Sequence, residues 1–267
     1  MTTTSWYALP PKPKVKGYVH TEFHDDLVAL IASYGALTLE WVYWLVYKEP
    51  LKGAKYRKGD VTQDSRYLHL AKQLQKLTNA RAIKRSKGLR QITYGVKPIG
   101  QNFHWLDRSW MHMAVEFFCE QHREMMFEWE NEREVRKKPG AADAKLYIGK
   151  PDTGSYFRIE IDRGNKYTWQ LREQLLAHID LFSEYRDKYR GTDEYRPWRV
   201  LLSTNNRRNM LGRIRRDMQM VEASAKLPNF ILYTDKERYS PERPESLLTE
   251  PIWQTAHSDE FVALLRR

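Results

Sequence analysis

The sequence predicts an α/β chain, α+β overall, with a basic helical first part and a longer second part in which helices alternate with strands. Three observations carry this. From Thr21 to Ala80 apolar residues recur at spacings of three and four, the helical period. After Gly100, short apolar and alternating runs rich in Val, Ile, Leu and Tyr are interleaved with long amphipathic ones, the pattern of a mixed sheet with helices. The charge is unevenly spread: residues 1–100 hold 17 Lys and Arg against 7 Asp and Glu, whereas the remainder holds 28 against 27.

The totals bound the reading. A chain of 267 residues with 41% hydrophobic and 13% aromatic residues has enough apolar surface for one large core or two ordinary ones. The single cysteine, Cys119, excludes an internal disulfide framework and any cysteine-rich zinc site. No apolar run approaches the roughly 18 residues of a membrane span. The opening MTTTSWYALPPKPKVK is not a signal peptide, so a cytoplasmic location and no membrane partner are expected.

Residues 1–20 read as a flexible basic arm, because PPKPK favours extended backbone. Residues 21–100 form the first expected domain. Helical spacing of Phe23, Leu27, Leu30 and Ile31 begins after Thr21, with Asp25 and Asp26 in the first turn, and stops at Gly35. Thr38 caps a second helix, LEWVYWLVY, which ends before Pro50. The loop LKGAKYRKGDV leads to a third helix within TQDSRYLHLAKQLQKLTNA, whose Tyr67, Leu70, Leu74 and Leu77 share one stripe. ARAIKRSKGLRQITYGVKP then reads as two short strands around a turn at RSKG.

Three helices followed by a basic hairpin is the order of a winged helix-turn-helix, in which the third helix enters the major groove of duplex DNA. Residues 50–97 carry 13 basic against 2 acidic residues, a field that attracts polyanions. The candidates for base contact are Ser65, Arg66, His69, Lys72, Gln73 and Lys76. Arg81, Lys84, Arg85, Lys87 and Arg90 are the candidates for phosphate contact.

Residues 101–267 form the second expected domain. A helix over WLDRSWMHMAVEFFCEQH leads through FEWENERE to the strand AKLYI, and the turn GKPDTG returns the chain through SYFRIEI. Residues 166–188 read as a helix, WRVLLST as a buried strand, NNRRNMLGRIRRDMQMV as a helix and NFILYT as a last strand. PESLLTEPIW and the tail read as a closing loop and helix.

Pairing the strands through GKPDTG brings Asp143 and Glu160 to one edge, and Glu116 on the preceding helix offers a third oxygen. Carboxylates of this kind hold Mg²⁺ beside a phosphodiester. An acid on a helix, an acid at a strand start and E-x-K on the next strand describe the PD-(D/E)xK core, a restriction-endonuclease-like α/β domain. Two departures stand out. GAA separates Pro139 from Asp143, and the lysine position is Asp162. Lys145 or Lys166 is the candidate for a relocated cation, and Asp162 for a further metal ligand or a partner of Arg163.

ADAKLYI, FRIEIDRGN before a helix, RVLLST before an Arg-rich helix, and NFILYT with its closing PIW together resemble the replication-relaxation family of plasmid and mobile-element proteins. The resemblance spans residues 22–255 and is most specific at EIDRG. It implies a winged helix followed by a nuclease-like domain with an E-x-D-R-G signature, here Asp143, Glu160, Asp162 and Arg163. It also implies a basic residue on the helix after the signature, where Gln174 stands. The expected function is that of a DNA-binding accessory protein in replication, relaxation or mobilisation, or transcription control. Its expected partners are double-stranded DNA, other replication or mobilisation proteins and a second copy on a palindromic site. The alternatives are a Mg²⁺-dependent endonuclease using Asp143 and Glu160, and a protein-interaction module with a basic face.

Other features have ordinary readings. His104, His112 and His122 lack metal-site spacing, and His178 either faces the carboxylates or sits in the core. Trp41, Tyr43, Trp44 and Tyr47 fall at core spacing, and Cys119 lies in an apolar helix.

Overall fold

A computed structural model of the chain describes residues 21–48, 65–87, 92–96, 104–131, 140–150, 153–163, 166–205 and 209–265. Two compact units divide between Ser109 and Trp110. The expected arm 1–20 and the loop LKGAKYRKGDV lie outside the described residues.

In the first unit, α1 (Glu22–Tyr34) begins after Thr21 and ends at Gly35, whose N–H reaches the Ile31 carbonyl at 2.9 Å. Gly35 has φ +86°, and a Cβ there would stand 2.6 Å from the Arg108 guanidinium, so both backbone and space call for glycine. The buried stripe of α1 is His24, Leu27, Val28, Ile31, Ala32 and Tyr34. Phe23 and Leu30, expected within it, are only half-buried at its margins. Helix α2 (Leu39–Tyr47) is capped by Thr38, whose Oγ1 accepts from the Trp41 N–H at 3.3 Å. Helix α3 (Ser65–Asn79) buries the expected Tyr67, Leu70, Leu74 and Leu77.

A three-stranded antiparallel sheet in the order β1-β3-β2 completes this unit, from β1 (Leu37–Thr38), β2 (Lys84–Lys87) and β3 (Ile92–Gly95). Strand β1 is too short to leave an alternation signal. The turn expected at RSKG is displaced: Arg85 pairs Tyr94, Ser86 pairs Thr93 and Lys87 pairs Ile92. Placing Ile83 and Tyr94 in the core extends the ladder through these residues, and the chain reverses after Lys87.

Helix α4 (His104–Gln121) spans the division between the units. The second unit is a mixed five-stranded sheet, in order β4 (Met126–Asn131), β5 (Ala144–Lys150), β6 (Thr153–Asp162), β7 (Trp198–Thr204) and β8 (Ile231–Asp235). Strands β4, β5 and β6 are mutually antiparallel, whereas β6, β7 and β8 are parallel. The parallel pairs need crossovers, supplied by α5 (Thr168–Tyr189) and α6 (Met210–Ser224). Strand β4, formed from FEWEN, adds an edge to the expected strands. Its exposure alternates residue by residue, as an edge strand covered on one face should.

Side-chain alternation divides the sheet into two faces. Leu146, Phe157, Ile159, Ile161 and Leu201 pack with Met111, Val115 and Phe118 of α4 and with Trp253. Val200, Leu202, Ile231 and Tyr233 pack with Leu175 and Ile179 of α5 and Ile214 and Met218 of α6. Glu160 and Asp162 alternate with Ile159 and Ile161, so they belong to the α5–α6 face.

Two expected helices differ. The one expected from Asn205 begins at Met210, because Asn205 prolongs the strand end. Its N–H reaches the Asp162 carbonyl and its Nδ2 the Arg163 carbonyl, both at 3.3 Å. The closing helix shrinks to one turn, α7 (Glu245–Leu248). Beyond it the chain bends, and isolated bridges join Tyr233 to Gln254 and Trp253 to Val262, so that Gln254 pairs the outer edge of β8 at Tyr233. Among the described residues no helix is long and apolar enough to cross a membrane.

Candidate functional site

EIDRG occupies the carboxyl end of β6, where Asp162 is level with Thr204 of β7 and, through it, with Asp235 of β8. In open α/β sheets this is the end at which ligands bind. Ala144 pairs Ile159, so one further step of that register sets Asp143 opposite Glu160, as the strand pairing anticipates. The Asp143 N–H reaches the Ile159 carbonyl at 2.8 Å, and its Oδ2 accepts from the Ile161 N–H at 2.9 Å.

Glu160 is the centre of the site and is 2% exposed. Gln174 and His178 stand one helical turn apart on α5 and face it together. His178 Nε2 lies 2.7 Å from Glu160 Oε1, and Gln174 Nε2 donates to Glu160 Oε2. Both carboxylate oxygens therefore meet nitrogen donors. Lys166 Nζ donates to Gln174 Oε1 at 2.5 Å. The amide dipole of Gln174 thus lines up between an ammonium and a carboxylate, an arrangement in which each hydrogen bond polarises the next.

Asp162 is also buried and accepts from Thr204 Oγ1 at 2.8 Å. Lys145 Nζ is 3.3 Å from Glu130 across the β4–β5 pair. Of the two candidates for a relocated cation, Lys166 joins the Glu160 chain through Gln174. Glu116 does not join it, because α4 covers the opposite face of the sheet.

These residues fit a divalent ion poorly as arranged. The oxygens of Glu160 are engaged by His178 and Gln174, and one oxygen of Asp143 by a backbone amide. Among the described residues, no three His, Cys, Asp or Glu side chains are grouped to hold a metal ion.

The second candidate surface is the outer side of α3. Ser65, Arg66, His69, Lys72 and Lys76 are exposed, as are Arg81, Lys84 and Arg85 beyond it. Several have partners of their own. The Arg66 guanidinium lies 5.2 Å from the Tyr47 ring centroid and 5.6 Å from that of Tyr43. Arg85 donates to Gln75 of α3 at 3.3 Å. Gln73 is half-buried and joins His24 to His69. Arg90 and the side chain of Lys87 lie outside the described residues.

Two contributors are absent from the expected set. His24 sits at the third position of α1, where a capping box has Glu or Gln, and T-x-x-H at a helix start is its sequence signal. Thr204 carries no such signal, because only the parallel register of β6 and β7 sets it beside Asp162.

Of the other histidines, His112 is buried, whereas His104 and His122 are half-buried. His112 stacks on Trp129 at 4.6 Å and 2°. Tyr43 is buried, while Trp41, Trp44 and Tyr47 are half-buried. Burial pushes the Cys119 thiol up to about 12, with Glu116 adding to the effect. No family model matches the chain, and no curated protein is significantly similar to it.

Proposed function

We propose that the protein is a DNA-binding accessory protein of a plasmid or other mobile element, acting in replication, relaxation or mobilisation, or transcription control. In this reading residues 21–100 are a winged helix-turn-helix that inserts α3 into the major groove, with the β2–β3 hairpin against phosphate. The second unit is a nuclease-like domain that holds the EIDRG carboxylates as structural groups. The observation that carries the reading is the outer side of α3. Its apolar stripe is buried, and Arg66, His69, Lys72 and Lys76 are turned outward in the part of the chain that holds most of the net charge. The mobile-element setting rests on the EIDRG resemblance.

The test is binding of duplex DNA as salt rises. A protein that neutralises about 6–10 phosphates loses about 10³–10⁵ in affinity between 50 and 200 mM salt. Affinity that hardly changes over that range overturns the proposal.

A second reading, a DNA endonuclease using Asp143 and Glu160, is favoured by one observation. Lys166 supplies a cation one side chain away from Glu160, through Gln174. Supercoiled plasmid incubated with Mg²⁺ or Mn²⁺ separates the two readings. Cleavage that Glu160→Ala abolishes supports the endonuclease, and intact plasmid with DNA binding retained supports the accessory role.

A further inference from the structure

A chain of hydrogen bonds links the start of α1 to the exposed side of α3, and its polarity is set by a backbone amide. The Thr21 N–H can only donate, and it meets His24 Nδ1 at 3.2 Å, with the Thr21 hydroxyl 3.0 Å from the same nitrogen and able to donate to it as well. Nδ1 is therefore an acceptor, and the proton of this 3% exposed imidazole is on Nε2. That Nε2–H faces Gln73 Oε1 at 2.9 Å, which orients the amide with its NH₂ toward the next residue along. Gln73 Nε2 meets His69 Nε2 at 3.2 Å, so His69 accepts there. The remaining proton of His69 is on Nδ1. The Phe23 ring, 6.2 Å away centroid to centroid, flanks the imidazole.

We infer that this relay fixes His69 as the Nδ1–H tautomer, so that the exposed side of α3 presents a donor that reads a hydrogen-bond acceptor on DNA. The inference rests on the DNA-binding reading above and adds the sign of one contact. In the major groove guanine, adenine and thymine all offer acceptors, at N7 and O6, N7, and O4, whereas cytosine offers the N4 amino donor. At the position that His69 faces, the protein selects against cytosine. His24 and Gln73 act through His69 and are positioning residues. The same side chains without the relay would leave His69 able to present either nitrogen protonated.

Gln73→Glu tests the polarity with little change of shape. A carboxylate accepts from both imidazoles, so in alkaline buffer, where each ring carries one proton, His24 keeps its tautomer and His69 changes to Nε2–H, exposing Nδ1 as an acceptor. Long-range proton–nitrogen correlation spectra of the free full-length protein read both tautomers directly. The expected result is Nε2–H at His24 and Nδ1–H at His69, with only His69 switching in Gln73→Glu.

Sites selected from random duplexes by the wild-type protein then supply the DNA probe. Cytosine at one position should weaken wild-type binding about fivefold, the value of one net hydrogen bond. That ratio should vanish in His69→Ala and reverse in Gln73→Glu, measured as a ratio so that the added negative charge cancels. An Nε2–H tautomer at His69 in the wild type overturns the relay. A base preference unchanged in both variants overturns the readout. Failure to bind any duplex at low salt removes the DNA-binding reading and the readout together, while the tautomers still decide the relay.

Discussion

The outer side of α3 and the pocket around Glu160 are both crowded with polar side chains, but they handle them in opposite ways. On α3 the cations are exposed, and what order they have comes from contacts at their margins, such as Arg66 against Tyr43 and Tyr47. Around Glu160 the acids are buried, and the chain itself supplies the groups that face them: His178, Gln174, Thr204 and the Ile161 amide. A buried carboxylate costs free energy unless such partners replace its water, so those partners belong to the fold. An exposed lysine costs almost nothing to leave solvated and keeps its charge for a polyanion. Groups already satisfied from within are poorly placed to bind a ligand, and groups that face water are available to one.

The largest expected effect breaks the buried side of this comparison. His178→Ala removes a donor to a Glu160 that stays buried, at a cost on the order of 3–5 kcal/mol in denaturant unfolding. Gln174→Ala leaves His178 in place and costs less, about 1–2 kcal/mol. If both variants unfold like the wild type, the carboxylate is not held as a structural group.

A second buried acid sharpens the same point through pH. Glu222 is fully buried, and burial pushes its carboxyl up to about 7 from an ordinary 4.5 against the Tyr233 hydroxyl at 3.3 Å. His257 Nε2, on the segment beyond α7, is 3.6 Å from its other oxygen. The folded state keeps a proton that the unfolded chain has released, so stability falls as pH rises from about 4.5 to about 7 and then levels. Its full size is on the order of 3 kcal/mol. Unfolding of Glu222→Gln should lack that slope.

The exposed side should barely respond in stability. Lys72→Ala, Lys76→Ala and Lys84→Ala should each change unfolding by less than about 0.5 kcal/mol. Each should nevertheless flatten the salt dependence of DNA binding, by about 0.9 in the log–log slope for every phosphate that is no longer neutralised. A large loss of stability in any of them would place that lysine with the structural groups. The smallest effect is at Cys119, whose buried thiol should react with a thiol reagent only after unfolding.

Much of this was legible in the sequence because it is local. The stripe Tyr67, Leu70, Leu74 and Leu77, the Thr38 cap and the Gly35 stop are each written within a few residues, and helices are governed by neighbours along the chain. The opposition of Asp143 and Glu160 followed from one hairpin, whose short connection sets its register. The errors also have local causes. RSKG has turn composition, but the core position of Ile83 and Tyr94 carries the ladder through it. NNRRN has helical neighbours, but Asn205 is held to the end of β6.

The alternation of helices and strands, the concentration of positive charge in the first hundred residues and the carboxylate spacing of EIDRG can all be read along the chain. Packing across the chain sets Glu116 and Glu160 on opposite faces of the sheet, brings Lys166 to Glu160 through Gln174, and lets His24 reach His69 through Gln73. The physical reason is range. Propensity, capping and charge act between residues close along the chain, whereas the partner of a buried polar group is chosen by whichever distant element packs against it.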